Sequence, residues 1–395
     1  MSDQLTVRVP WPDWRSWPGW VQALAVYAVA RLVGFLVLER VARFQVANPW
    51  TDARPGYFPF AGIWDGDWYR RIAEHGYPLP LPRGADGLPV QSEWAFYPGY
   101  PMLVRGVQEL TGASWTVAAP LVSLLLGAGA VVVIHRLFAR LAGSWPAMTG
   151  VALVSFFPTA VVLQVAYTEA LALLALAGSL YLLVTRRYLW AIPVVAVLGL
   201  SRAVALPLAV VVAVHLLVRW RHRATDPFGP AERLKVLLLG AFSVAAGLAW
   251  PLFVGLSTGS IGAYTEVQGA WRGGSTVFLR PWWSMAQYVA GPWVGPAVLV
   301  TLVVATTWWI LRRGRVAGPE LQAWCLAYLA YLLVVVDPFT SLFRFLLLLF
   351  PVALMVAVGV RSRAHLLTWV FAFVSLQVIW VAWLWRFTPP SDFPP

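Results

Sequence analysis

Two aspartates separated by one glycine, Asp65 and Asp67 in Ile63-Trp64-Asp65-Gly66-Asp67-Trp68-Tyr69, stand at the head of a short helical pattern. A carboxylate in such a place can act as a general base, taking the proton from a sugar hydroxyl as it attacks an activated sugar donor. If the leaving group is a lipid phosphate it departs without a proton, so one carboxylate suffices where a glycoside hydrolase needs two. A plainer duty is open for both aspartates, because acids near a helix start commonly cap its free N–H groups.

A phosphate leaving group requires positive charge. Arg202 interrupts an apolar stretch, where a charge is costly and tends to be kept for function, although a long side chain can also snorkel to the nearer interface. Arg344 follows Asp337-Pro338 and precedes another apolar run. It can share the phosphate with Arg202 or pair with Asp337, as charges near membrane helices usually find partners. Glu169 opens an apolar helical stretch after Phe157-Pro158, where an acid is also favourable to the helix dipole alone.

The elements that must hold these groups follow from the pattern of apolar residues. Trp64, Trp68 and Ile72 recur every four residues and Gly76 follows, which predicts a short amphipathic helix lying at a membrane interface. It sits inside a long segment, residues 39–115, expected as the first extracytoplasmic loop. A second such loop, residues 257–281, carries Tyr264, Glu266, Trp271 and Arg272, ends before Trp282 and Trp283, and is expected to act as a mobile cover over a site.

The rest of the chain is apolar: 60% hydrophobic and 12% charged over 395 residues, with a mean hydropathy of +0.70. A water-soluble surface does not tolerate that composition. Runs such as Val21 to Leu38, Thr116 to Ile134, Val236 to Leu256 and Pro292 to Leu311 are each about 20 residues long, the length of a bilayer core. The net charge of +12 resides in short arginine clusters between these runs, at Arg136/Arg140, Arg186/Arg187, Arg219 to Lys235, Arg312 to Arg315 and Arg361/Arg363. Placing every cluster inside gives a weave that starts in the cytoplasm and crosses about 11 times. In that weave Trp190 to Leu200 and Ala203 to Leu217 form a broken pair. The expectation is an all-α polytopic membrane protein with residues 1–395 as one domain and with membrane lipid, not nucleic acid, as its surroundings. The first apolar run is read as a retained anchor rather than a cleaved signal.

Most of the 17 acidic residues, including Asp52, Glu74, Asp86, Glu109 and Glu266, fall on the outer side of the weave. The orientation rule does not demand this, so the carboxylates call for a chemical explanation. Of the histidines only His75 falls outside, and the lone Cys325 lies in an apolar run, so no metal site is assigned. Other functions are open: a transporter or lipid flippase with Arg202 along its route, or a non-catalytic envelope-assembly protein.

In order along the chain, Trp64-Asp65-Gly66-Asp67-Trp68-Tyr69, His75-Gly76-Tyr77, Glu93 with Ala95-Phe96-Tyr97-Pro98-Gly99-Tyr100-Pro101, Phe156-Phe157-Pro158, Tyr167-Thr168-Glu169-Ala170-Leu171 and Ser201-Arg202 resemble the PIG-V-type mannosyltransferases, the family of glycosylphosphatidylinositol mannosyltransferase II within the GT-C class. The resemblance implies a GT-C-like bundle and inverting transfer of mannose from a polyprenyl-phosphate donor. It also implies an essential aspartate at Asp65, with Asp67, Glu93 and Glu169 as secondary carry-overs; Trp68, Tyr167, Arg202 and Arg344 complete the candidate substrate contacts. No cofactor is implied beyond the lipid-linked sugar itself, and a divalent metal requirement is left open. This chain differs in Ala203-Val204-Ala205 after Arg202 and in the glycine of Tyr97-Pro98-Gly99-Tyr100-Pro101. Arginine supplies 28 of the 29 basic residues, which suggests a bacterial plasma membrane and an envelope glycan, lipid or secreted protein as acceptor.

Overall fold

The computed structural model describes residues 16–272, 277–390 and 395, and its regular elements are helical. Helix α1 (Gly19–Ala42) carries the first apolar run uninterrupted. Three short helices follow in the segment expected as the first outer loop: α2 (Tyr57–Phe60), α3 (Asp65–His75) and α4 (Gly99–Thr111). Then come α5 (Trp115–Ala142), α6 (Ser144–Ser155), α7 (Glu169–Val184), α8 (Tyr188–Ser201), α9 (Ala205–Arg221) and α10 (Pro230–Thr258). The second loop folds as α11 (Ala263–Ala270) and leads to α12 (Arg280–Ala290); residues 273–276 of that loop lie outside the described residues. The chain continues through α13 (Val294–Arg313), α14 (Gly318–Val335), α15 (Leu342–Phe345), α16 (Pro351–Ala357) and α17 (Arg363–Trp380).

Among the described residues, 5 helical stretches are long and apolar enough to cross a membrane, and one of them, Val294–Val335, contains both α13 and α14. Helices α7 and α8 are apolar but shorter. Large apolar side chains such as Leu125, Leu302, Phe371 and Trp383 stand exposed on the outside of the bundle. Such a surface suits lipid, not water, and the chain is an integral membrane protein.

Two breaks position the site. Between α6 and α7 the chain leaves the helix at Phe156 and passes through a 3-10 turn, Ala160–Gln164. Arg31, buried midway along α1, donates to the Ser155 carbonyl (2.6 Å) and to that of Ala160, satisfying acceptors that the interrupted helix leaves free. Between α8 and α9 the backbone is extended at Arg202, so the expected broken pair is observed. Helix α4 docks onto that break: a Cβ on Gly99 would stand 2.7 Å from the Leu200 carbonyl, which accounts for the glycine in Tyr97-Pro98-Gly99-Tyr100-Pro101.

The expected amphipathic helix is α3, ended by Gly76 at φ +75°. Its buried face corrects the sequence reading. Tyr69, Ile72 and Ala73 pack with Tyr100, Val104 and Trp115, whereas Trp68 of the expected stripe is only half-buried. Asp65 and Asp67 are both buried, which apolar periodicity alone does not anticipate.

Candidate active site

Asp65 is the first residue of α3, and the residue before it is strained. Trp64 has φ +62° and ψ −125°, a region that costs a bulky side chain of order 1–3 kcal/mol and persists only where surrounding structure holds it. The C-terminal end of the chain supplies that hold. Trp64 donates its indole N–H to the Trp385 carbonyl (2.7 Å), and Trp385 donates its own to the Phe60 carbonyl (3.0 Å). Trp385 closes a π-helical turn, Val381–Trp385, that extends α17. Gln45 grips Phe387 through both backbone groups at 3.0 Å. The Trp385 ring lies 5.1 Å from that of Tyr167, whose hydroxyl accepts the Asp65 amide at 3.3 Å.

Around Tyr167 four charged side chains meet. Asp65 Oδ2 lies 2.6 Å from Arg344 Nη2, Arg344 Nη1 lies 3.2 Å from Glu169 Oε1, and Arg202 Nη1 reaches the same Glu169 oxygen at 2.6 Å. The guanidinium of Arg344 stands 4.8 Å over the Tyr167 ring and that of Arg202 stands 4.2 Å over Phe345. Glu169 is fully buried, and the Arg344 and Arg202 side chains are 7% and 15% exposed. Two carboxylates and two guanidinia balance formally, yet Glu169 Oε2 and Arg344 Nε are buried without a hydrogen-bond partner. Burying such a network costs desolvation that the pairing repays only in part, so the cluster is poorly explained as a stabilising device.

The geometry decides several open points. Neither aspartate caps α3, since no side-chain cap bond is made there. Asp67 instead has both oxygens taken by its own helix: Oδ1 by Arg70 (2.6 Å) and Oδ2 by Arg71 (2.8 Å). Asp337 does not pair with Arg344 but stands 3.7 Å from Arg272. Arg202 points into the protein rather than snorkelling, and Glu169 does open α7 while also holding two arginines.

Five of the expected residues, Asp65, Tyr167, Glu169, Arg202 and Arg344, are thus in one connected cluster. Trp68 lies beside it in an aromatic group, stacked on Phe96 at 5.8 Å and edge-on to Trp271 at 5.3 Å. The Glu93 side chain makes no hydrogen bond or ion pair among the described residues, while its carbonyl accepts from the Phe96 amide at 2.9 Å; its charge adds to the upward push that burial gives the Tyr77 phenol. No group of three or more His, Cys, Asp or Glu side chains among the described residues is arranged to hold a metal ion. The roles of Gln45, Phe345 and Trp385 were not anticipated, and Trp385 is marked in the sequence only as one of 24 tryptophans.

No family model matches the sequence, and no curated protein sequence matches it. Solved structures do share its fold. The crystal structure of ArnT from Cupriavidus metallidurans bound to undecaprenyl phosphate superposes with a TM-score of 0.52 at 18% identity, over 90% of this chain and 62% of that one. ArnT in the apo state gives 0.48 at 17% over the same shares, and the apo oligosaccharyltransferase of Archaeoglobus fulgidus gives 0.46 at 11%, over 93% and 57%. The chain therefore spans about three-fifths of the length of the ArnT chain it matches. At these identities the likeness is one of fold, and on it the chain is an all-helical membrane protein of GT-C architecture.

Proposed function

We propose that the chain is a glycosyltransferase that moves a mannosyl residue, with inversion, from a polyprenyl-phosphate donor to a glycan, lipid or protein acceptor on the outer side of a bacterial plasma membrane. One observation carries the reading: a buried carboxylate, Asp65, stands against a pair of arginines joined through Glu169. Charged groups so placed in a membrane protein mark function, and these fit base-assisted transfer to a hydroxyl with a phosphate leaving group. That the fold neighbour ArnT binds undecaprenyl phosphate supports a lipid-phosphate donor, and the motif resemblance supports mannose.

Asp65 is the base in this proposal and Asp67 is not. Both oxygens of Asp67 are engaged by arginines, whereas Arg344 holds only Oδ2 of Asp65 and fixes the carboxylate's orientation. Oδ1 takes the proton from the acceptor hydroxyl as the new C–O bond forms. The bond to the lipid phosphate breaks with its electron pair remaining on phosphate, where Arg202 opposes the charge through guanidinium nitrogens not used by Glu169. The Trp68 ring and Glu93 are assigned to the flanking substrate contacts.

The test is transfer of radiolabelled mannose from polyprenyl-phosphate-mannose in proteoliposomes. Asp65→Asn keeps size and charge-free hydrogen bonding, and turnover is expected to fall by about 100-fold or more with donor binding retained. Near wild-type transfer by Asp65→Asn, together with an inactive Asp67→Asn, would move the base to Asp67. Absence of transfer by the wild type with every envelope acceptor class would reject the activity.

A further inference from the structure

Near Arg202 three tyrosines converge from three parts of the chain. Tyr97 comes from the Tyr97-Pro98-Gly99 corner before α4, Tyr264 from α11 of the second loop, and Tyr331 from α14. The Tyr97 corner packs through Gly99 on the Leu200 carbonyl, two residues before Arg202, and Tyr331 stacks at 5.8 Å on Tyr328, whose hydroxyl donates to the carbonyl of Phe345, the residue whose ring lies under the Arg202 guanidinium. The Tyr97 and Tyr264 rings meet edge-on at 6.2 Å.

Their hydroxyls are poorly satisfied. Tyr264 approaches the Tyr97 hydroxyl only to 3.4 Å, and Gln268 Nε2 approaches Tyr264 at 3.4 Å while making its better bond, 3.0 Å, to the Ala95 carbonyl. The Tyr331 hydroxyl makes no hydrogen bond to another described residue. Phenol hydrogen bonds normally lie near 2.7–2.8 Å, and buried phenols usually find such a partner. The core of this same protein shows the ordinary pattern, with Tyr100 at 2.8 Å from the Ala119 carbonyl and 2.9 Å from Ser123. Tyr97 is nevertheless 7% exposed. Phenols with spare capacity, Tyr97 buried and Tyr264 and Tyr331 half-buried, grouped beside an arginine, suit an occupant that brings several hydroxyls of its own.

We propose that Tyr97, Tyr264 and Tyr331 form the wall of a hexopyranose subsite next to Arg202, completed by α11 as it docks on the Tyr97 corner. The placement rests on the reading of Arg202 as the phosphate-binding arginine. A pyranose presents hydroxyls around a rigid ring, and sites built to hydrogen-bond such hydroxyls discriminate strongly against analogues lacking them. Arg272 keeps α11 in place by donating to the Val335 carbonyl at 2.6 Å, with Asp337 3.7 Å away. The sugar belongs either to the lipid-linked donor or to the acceptor, and the chemistry of the wall is the same for both.

The experiment compares full-length wild type with the triple variant Tyr97→Phe, Tyr264→Phe, Tyr331→Phe, which keeps the rings and removes the hydroxyls. Binding of polyprenyl phosphate and of polyprenyl-phosphate-mannose is followed by tryptophan fluorescence, and thermal unfolding checks the fold. For a donor sugar, wild type favours the mannose-bearing lipid, and the variant loses that preference by about 10-fold or more while bare polyprenyl phosphate binds both equally. For an acceptor sugar, donor binding is unchanged and KM for a mannoside acceptor rises by a similar factor. Single Phe variants replace the triple one if it fails to fold. The subsite is overturned if folded variants match wild type in both donor preference and acceptor KM. Tyrosine-dependent preference for the mannose lipid in a protein that transfers nothing would keep the subsite and reject the transferase.

Discussion

The two ends of α8 and α9 hold two ionic clusters of similar composition and different construction. Helix α8 separates them by about 20 Å, from its 14 residues at 1.5 Å each. At the far end Arg219 bonds Asp226, the Pro227 carbonyl (3.0 Å) and Glu232 (3.1 Å), and Arg186 also reaches Asp226. Tyr188 bridges Glu232 (2.8 Å) and His215 (3.0 Å), and His215 meets Glu320 at 2.7 Å. Most partners there are neighbours along the α9–α10 turn, and Arg186 and Asp226 are 47% and 40% exposed. At the Asp65 end the partners come from α3, α7, the α8–α9 break and α15, and all are buried except Arg202, whose side chain is 15% exposed. A local cluster at a helix turn closes a connection with groups that water still reaches. A buried one joining distant segments carries a desolvation cost without matching stability, and among the described residues only the second holds a buried carboxylate oxygen without a partner, Glu169 Oε2, although Arg219 Nε at the far end is also buried and unpartnered.

The largest expected difference between the ends is in stability. Arg344→Met leaves Asp65 without its cation and Glu169 with one of two, so unfolding in detergent is expected to show a loss of about 3–5 kcal/mol, the scale for breaking a buried ion pair from one side. If Arg344→Met unfolds like wild type, the contrast between the clusters disappears.

Arg202→Lys sharpens the comparison within the Asp65 end. An ammonium can still meet Glu169 but cannot offer a planar fork to phosphate, so affinity for polyprenyl phosphate is expected to fall by roughly 10-fold while the unfolding midpoint stays close to wild type. Equal affinity would leave Arg202 a purely internal partner of Glu169.

A smaller effect is expected from Trp64→Phe, which keeps a ring against Trp50 and Phe387 but removes the donor to Trp385. Faster hydrogen exchange at the first amides of α3 should accompany a fall in kcat of several-fold to about 10-fold, with KM for the donor unchanged, as expected when a reacting group is only slightly misplaced. Unchanged exchange would show that the strain at Trp64 is held by packing alone.

Least of all is expected from Arg186→Met at the far end. Its ion pair is solvent-exposed, so transfer activity and unfolding should both be indistinguishable from wild type.

Much of this was legible in the sequence. Apolar run lengths predicted a helical membrane bundle, the Trp64-to-Gly76 pattern predicted α3 and its stop, and the shortness of two successive apolar runs predicted the α8–α9 break. These signals are local, and each depends on residues a few positions apart. Partner choice was less legible. In sequence Asp65 stands above Asp67 only through the family resemblance, but α3 carries Arg70 and Arg71 at the spacing that brings both onto Asp67, and no local rule brings Arg344 to Asp65.

The sequence by itself therefore determined which residue types were present for chemistry, which stretches would be helical and apolar, and where those helices must stop, because chain geometry and burial act over a turn or two. Tertiary structure alone decided that Asp65, Glu169, Arg202 and Arg344 share one buried volume, that Asp337 turns to Arg272, and that Trp385 locks Trp64 in a left-handed conformation. Those contacts join segments far apart in the chain, in the Asp65–Arg344 and Trp64–Trp385 pairs from its opposite ends, and their energies depend on the desolvation that only the packed bundle imposes.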